Sequence, residues 1–336
     1  MADSALDPQV RLREMVEGYW GTQVIRTAVA IGLPDILGDA ALPAAEAAQA
    51  AEADAPSVER LLRALVTLGL CEVEGGSRFR LTEMGGLLRA GVEGSCRGRV
   101  LFVGRALYPA FAELEASVRT GRRAPSIRGD FESSSPEQVA VTQAAMAESS
   151  RDAIRAAAAV YDFGRFATLL DVGGGFGGVI ADLLVRFPAM RADVFDLPNV
   201  QSGAEAFLAE RGLAGRASFI PGDFMQGVPA GYDGYCLKYI LHDWQDAKAL
   251  GILKSCRAAM GPDATLVVLE MVVPDRLEAS PEHRAILRGD MSMMTWGGKE
   301  RTAVEYRQLF ADAGFELTGI TSTGSAFSVI EGRPLK

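Results

Sequence analysis

Residues Thr168–Gly178 read TLLDVGGGFGG. Leu169, Leu170 and Val172 form a short apolar strand, and the chain passes through glycines into Val179, Ile180, Leu183 and Leu184 at helical spacing. Glycines let backbone approach a ligand closely, and the helix that follows aims free N–H groups at a polar or anionic group. This is the mouth of a cofactor site. Gly173, Gly175 and Gly178 satisfy G-x-G-x-x-G, and Asp196 follows at about the distance of a ribose-binding acid, so an NAD-dependent oxidoreductase is a competing reading.

Beyond Gly178 strand and helix alternate. Strands are expected at Ala192–Asp196, Ala217–Pro221, Gly234–Leu241 and Thr265–Val272, and helices at Gln201–Glu210, Ala247–Ala259 and Ala303–Ala313, with closing strands within Phe315–Val329. The pattern is α/β, a doubly wound, mostly parallel, Rossmann-like sheet with an antiparallel end. Ligands of such sheets lie beyond the carboxyl ends of the strands, where Asp171, Asp196, Asp223, Lys238, His242 and Glu270 fall. A pyrophosphate favours positive charge, whereas Asp171, Asp196 and Asp223 suit a ligand with hydroxyls, amino groups and no phosphate. S-adenosylmethionine has those features and a cationic sulfur. On this reading Asp196 accepts from the ribose, Asp223 borders the adenine, and the Gly173–Gly175 backbone meets the amino-acid end. Each acid also has a structural alternative: Asp171 capping the glycine loop, Asp196 the turn before Pro198, Asp223 the GDF turn.

Upstream, Leu12, Val16, Trp20, Val24 and Ala28 recur at helical spacing, and their apolar character points to packing against a second subunit or the distant catalytic domain. From Leu42 to Leu88 the pattern is helix, turn, helix and a hairpin around Gly75 and Gly76, a winged helix. A ligand-sensing DNA-binding regulator is therefore an alternative, but Glu46, Glu52 and Glu59 leave too little basic surface, and the net charge of -9 disfavours nucleic acid and anionic membrane. Gln138–Tyr161 reads as one long helix, and Phe102, Tyr108, Phe111, Phe131 and Met146 as core, subunit or cavity residues. The expected division is a helical, winged-helix dimerisation domain over 1–160 and a catalytic domain over 161–336.

Of two histidines, His242 follows a strand end in LHDWQD, and His283 lies in SPEHR, which reads as a solvated segment. An imidazole at a strand's carboxyl end can take a proton from a phenol or enol, so His242 is the candidate general base. Glu270, ending the next strand, is placed to accept from one imidazole nitrogen, and Glu300 in WGGKERT to return from the opposite side. Asp243 reads as a substrate contact or a turn cap, Trp244 as a cover for adenosine or a packing residue, and Lys238 as a cofactor contact or a counter-charge. Met291, Met293, Met294 and Trp296 suit a flat, adaptable aromatic cavity.

LLDVGGGFG, FDLPNV, GDF, KYILHDWQD, VVLEMVVP, DMSMMTWGGKERT and YRQLFADAGF together resemble the small-molecule O-methyltransferases of plant phenylpropanoid and bacterial polyketide and phenazine metabolism. The resemblance implies an intertwined homodimer that binds S-adenosylmethionine without a metal. It implies His242 as base flanked by Glu270 and Glu300, and Asp196, Asp223 and Lys238 at the cofactor, with Leu197 and Phe224 in the same motifs. Asp243, Met291, Met294 and Thr295 fall with the acceptor pocket. Phe176 departs from the small or histidine residue often found in the glycine loop, and Thr295 replaces an amide common in plant enzymes. Relatives that decarboxylate or hydroxylate are a further alternative.

The four cysteines lack metal or redox spacing and read as buried thiols. No apolar run is long enough to span a bilayer and Met1 to Pro8 lacks the regions of a signal peptide, so the expected location is the cytoplasm.

Overall fold

The computed structural model describes residues 7–127 and 136–336. Two compact units emerge, Met1–Ala106 and Leu107–Lys336. The sequence reading puts the boundary at 160. The helix Pro136–Val160 instead packs on the helix Gly178–Arg186 and on the last strand of the large sheet, so its contacts lie with the second unit. Phe131 and most of the polar connection after Gly121 lie outside the described residues.

The first unit carries strands β1 (Leu42–Pro43), β2 (Cys71–Glu74) and β3 (Arg78–Leu81), ordered β1-β3-β2. Its helix Ala55–Thr67 begins where the Asp54 side chain accepts from Ser57 N–H at 3.0 Å, and buries Val58, Leu62 and Leu65 on one face. Helix, helix and hairpin form the expected wing. The helix Pro8–Glu17 buries no residue, and Leu12, Met15, Val16, Tyr19 and Trp20 are exposed around it and the start of the next helix.

The second unit carries β4 (Thr168–Val172), β5 (Arg191–Asp196), β6 (Ala217–Pro221), β7 (Gly234–Lys238), β8 (Thr265–Val273), β9 (Arg301–Thr302), β10 (Phe315–Ser322) and β11 (Phe327–Pro334). Their order is β10-β11-β8-β7-β4-β5-β6, with β9 beside the end of β8. β4 to β8 are parallel, and β11 pairs antiparallel with both β8 and β10. Leu170, Tyr235 and Leu237 face one core while Leu169 and Cys236 face the other, so the sheet is covered on both sides and its strands read as continuous apolar runs. The chain winds outward from β4 through β5 to β6, then restarts on the other side at β7. The crevice between the ends of β4 and β7 is therefore the topological switch point.

Two elements differ from the sequence reading. β7 ends at Lys238, and Leu241–Asp243 is a 3-10 turn. SPEHR opens the helix Pro281–Trp296: Ser280 caps it by accepting from His283 N–H at 3.0 Å, with proline in its first turn. Three cysteines are buried, but Cys96 is exposed.

Candidate active site

The crevice starts in the glycine loop. Gly173, Gly175 and Gly177 have φ of 74°, 57° and 86°, which a side chain adopts only with strain. A Cβ at Gly173 would lie 2.4 Å from Ile240 Cδ1, so a side chain there would also have to displace the end of the Ile240 side chain. Asp196 ties this loop to the end of β5, its Oδ2 accepting from Gly175 N–H and its Oδ1 from Leu197 N–H, both at 2.7 Å. Asp223 accepts from Met225 N–H at 2.8 Å and holds the GDF turn, the structural role the sequence allowed. Phe224 packs against the core beneath it.

Asp171 is buried, and among the described residues neither carboxylate oxygen has a hydrogen-bond partner. Burial raises its pKa to about 7 against the opposing pull of Lys238, while burial lowers Lys238 to about 8 against the opposing pull of Asp171. Backbone kept open by glycine, beside carboxylates of which one is buried and unsatisfied, fits a ligand that brings hydroxyl and amino donors. The Gln143 amide oxygen, which sequence reasoning missed, accepts from Phe176 N–H at 3.3 Å on this loop. Phe176 itself lies against Gly203, where a Cβ would be 2.3 Å from the ring.

The second half of the site is the turn carrying His242, whose Nδ1 lies 2.7 Å from Glu300 Oε1. That contact corrects the expectation for Glu270. Glu270 Oε1 instead accepts the backbone N–H groups of Ile240, Leu241 and His242 at 3.0, 2.6 and 3.2 Å, and Oε2 accepts from the Tyr306 hydroxyl. The physical reason is that a short turn leaves its first N–H groups unpaired, and a buried carboxylate beneath them satisfies all three. Burial raises the Glu270 pKa, with His242, Tyr306 and Arg301 opposing. Glu300 takes the imidazole because β9 pairs in parallel with Val272 and Val273, just past Glu270 on β8. Asp290 accepts Glu300 N–H at 3.0 Å, and His242 O accepts Lys299 N–H at 2.9 Å.

Arg301 was invisible in the sequence. Its guanidinium is fully buried and donates to Leu241 O at 2.8 Å, Trp244 O at 2.7 Å and Asp246 Oδ1 at 2.9 Å. Glu270 thus collects the turn's donors and Arg301 its acceptors. The only available signal was a cation directly after a site acid. Tyr239 was also missed: it has φ of 57° and its ring lies parallel to the His242 imidazole, with centroids 4.7 Å apart at 2°. The left-handed region costs an L-residue with a Cβ roughly 1–2 kcal/mol.

Burial lowers the affinity of His242 for a proton, but Glu300, then Asp243 and Glu270, outweigh it and raise the pKa to about 9. Asp243 Oδ1 is 3.6 Å from Nε2, beyond hydrogen-bond reach, so it stands beside the second nitrogen without occupying it. Lys248 Nζ lies 4.5 Å from the Trp244 ring centroid. Met291 and Met294, one helical turn apart, are partly buried. Thr295 is fully buried and its hydroxyl donates to Ser292 O at 2.7 Å. His283 accepts from Glu278 N–H at 2.9 Å and takes no part in this site. Among the described residues, no group of three or more histidines, cysteines or acids could hold a metal ion, and no helix is long and apolar enough to cross a membrane.

Residues 111–316 match the O-methyltransferase domain family, and residues 13–90 the O-methyltransferase dimerisation domain. The phenazine O-methyltransferase PhzM of Lysobacter antibioticus is 35% identical, over 96% of this chain and 96% of its own. The crystal structure of LaPhzM superimposes with a TM-score of 0.94 at 33% identity, covering 98% of this chain and 100% of that one. That of NcsB1, an O-methyltransferase of neocarzinostatin biosynthesis in complex with S-adenosylmethionine and 2-hydroxy-5-methyl naphthoic acid, gives 0.79 at 33%, covering 94% and 96%. The chain belongs to the S-adenosylmethionine-dependent O-methyltransferase family. It is an S-adenosylmethionine-dependent methyltransferase, and the dinucleotide and DNA-regulator readings give way to that one.

Proposed function

We propose that this enzyme methylates a hydroxyl of an aromatic secondary metabolite, a phenolic polyketide, phenazine or related compound, without a metal and with His242 as general base. One observation carries the reading: a buried imidazole at the switch-point crevice has Nδ1 held by the Glu300 carboxylate, while Nε2 lies 3.6 Å from Asp243, outside hydrogen-bond reach, which supports a role for Nε2 toward a reactant. Asp171, the Gly173–Gly175 backbone, Asp196, Leu197, Asp223, Phe224, Lys238 and Trp244 would hold the cofactor, which supplies an electrophilic methyl group on a sulfonium. Asp243, Met291, Met294 and the helix face around Thr295 would border the acceptor.

A phenol has a pKa of about 10, so at neutral pH its oxygen is a poor nucleophile until the proton leaves. His242 Nε2 takes that proton while Glu300 holds Nδ1–H and stabilises the imidazolium. Glu270 holds the backbone that carries the ring. The exposed apolar face around Leu12, Met15, Val16 and Trp20 supports a homodimer built on the first unit, and the scattered free cysteines support a reducing, cytoplasmic setting.

The test is a mass-spectrometric screen of hydroxyphenazines and hydroxynaphthoic acids with labelled S-adenosylmethionine, followed by single-turnover rates against pH. His242→Ala should bind S-adenosylhomocysteine normally and lose about 10² to 10⁴-fold in rate at pH 7, with partial recovery where the acceptor ionises unaided. Wild-type rates from His242→Ala would refute the base assignment. Decarboxylated or hydroxylated products without methyl transfer would refute the reaction.

A further inference from the structure

Tyr239 links β7 to the turn carrying His242, and it is one of two non-glycine residues with positive φ among the described residues. A glycine there would adopt φ of 57° without strain, and asparagine nearly so. A bulky residue in this conformation persists only where its surroundings over-determine it, and such positions cluster at functional sites. The surroundings are specific. One aromatic neighbour is the His242 imidazole, parallel at 4.7 Å, and another is Phe327 of β11, tilted at 4.9 Å. Lys238 Nζ lies 4.7 Å from the same ring centroid.

The contacts of His242 divide its freedom between them. Glu270 fixes the backbone through three N–H groups, and Glu300 selects which ring nitrogen points inward. The Glu300 bond restrains the imidazole plane in part, since the in-plane Nδ1–H donor prefers an angle above about 150°, but one hydrogen bond at the ring's edge does not hold its faces. A face-to-face aromatic contact does. The lone pair of Nε2 lies in the ring plane, so that plane sets the direction from which a proton can be taken.

We propose that Tyr239 is a positioning residue for the base: its ring, held against His242 by a left-handed backbone, fixes the imidazole plane and so aims Nε2 at the acceptor. The inference rests on His242 being the base. It assigns to Tyr239 no contact with reacting atoms.

The test compares Tyr239→Phe, Tyr239→Gly and Tyr239→Asn with wild type and His242→Ala. Glycine and asparagine both suit the backbone, so a purely structural role of the ring, packing on Phe327, predicts a lower thermal midpoint with kcat unchanged in the folded variants. Positioning predicts otherwise. With S-adenosylhomocysteine affinity held and rates read well below each variant's thermal midpoint, Tyr239→Gly and Tyr239→Asn should lose roughly 10-fold in single-turnover rate on 2-hydroxy-5-methyl naphthoic acid, in kcat and not in KM. Their His242 ring-proton NMR signals should lose the upfield shift that a stacked aromatic face imposes, and Tyr239→Phe should keep both shift and rate. The acceptor-free NMR signal reads the stacking directly. Folded Tyr239→Gly or Tyr239→Asn with wild-type kcat, or unchanged His242 shifts in both, overturns the proposal. A wild-type rate from His242→Ala would instead remove the base reading beneath it.

Discussion

Replacing Glu300 by glutamine isolates one charge without moving the hydrogen bond. The amide oxygen can still accept from Nδ1–H, so the tautomer of His242 is retained while the largest cause raising its pKa disappears. In the intact protein that pKa stands at about 9 against an ordinary 6.5, which corresponds to about 3 kcal/mol of preference for the imidazolium. With Asp243 and Glu270 still present and burial still opposing, the variant should fall by about 2 units. At pH 7 the neutral fraction in the ligand-free protein would then rise from roughly 1 in 100 to about one half. The base is also weaker, so the rate at pH 9–10 should drop while the rise between pH 7 and 9 flattens. Two histidines make the measurement direct: ring signals of ¹³C-labelled protein are followed against pH, with His283→Gln assigning the pair. If wild-type His242 titrates near 6.5, or Glu300→Gln leaves it near 9, the electrostatic account of this site is wrong.

The same pair makes stability depend on pH. A folded value above the unfolded one means the stabilisation is complete below pH 6.5 and lost as pH rises through about 9, so urea unfolding of wild type should lose ground to Glu300→Gln over that window. Cationic S-adenosylmethionine should expel a proton from the site near pH 8, visible as buffer-dependent calorimetric heat; identical heats in phosphate and Tris would count against His242 as the group released. Gly298→Ala places a Cβ 2.0 Å from His242 O, a backbone clash, so turnover should fall and the thermal midpoint drop, whereas an unaffected enzyme would mean the turn is free to move. Arg301→Met removes the donor to Trp244 O and one of the two donors to Leu241 O, which keeps Trp244 N–H, and should destabilise the protein by about 1–3 kcal/mol in urea titration, with no change in midpoint contradicting the clamp.

Where sequence and structure agree, the signal is local. Apolar runs such as Leu266–Leu269 and the Leu169–Leu170 and Val172 positions of β4 need helices on both faces, and glycines at left-handed positions follow from backbone sterics, so the parallel sheet and its cofactor mouth are legible without coordinates. The winged helix follows from the Asp54 cap, the apolar face of the next helix and the glycines of the hairpin. The motifs around His242 also carry the family. What tertiary structure alone decided is which polar group meets which. The sequence favoured Glu270 over Glu300 for the imidazole, and the pairing of β9 with β8 instead brings Glu300 there across 58 residues. Glu270 went to three backbone N–H groups because an irregular turn leaves donors unpaired wherever it is buried. Arg301 serves carbonyls of the same turn, and Tyr239 departs from β7 in a conformation its residue type disfavours. Such demands arise only when a non-repeating backbone is packed away from water, and no period or spacing in the sequence records them.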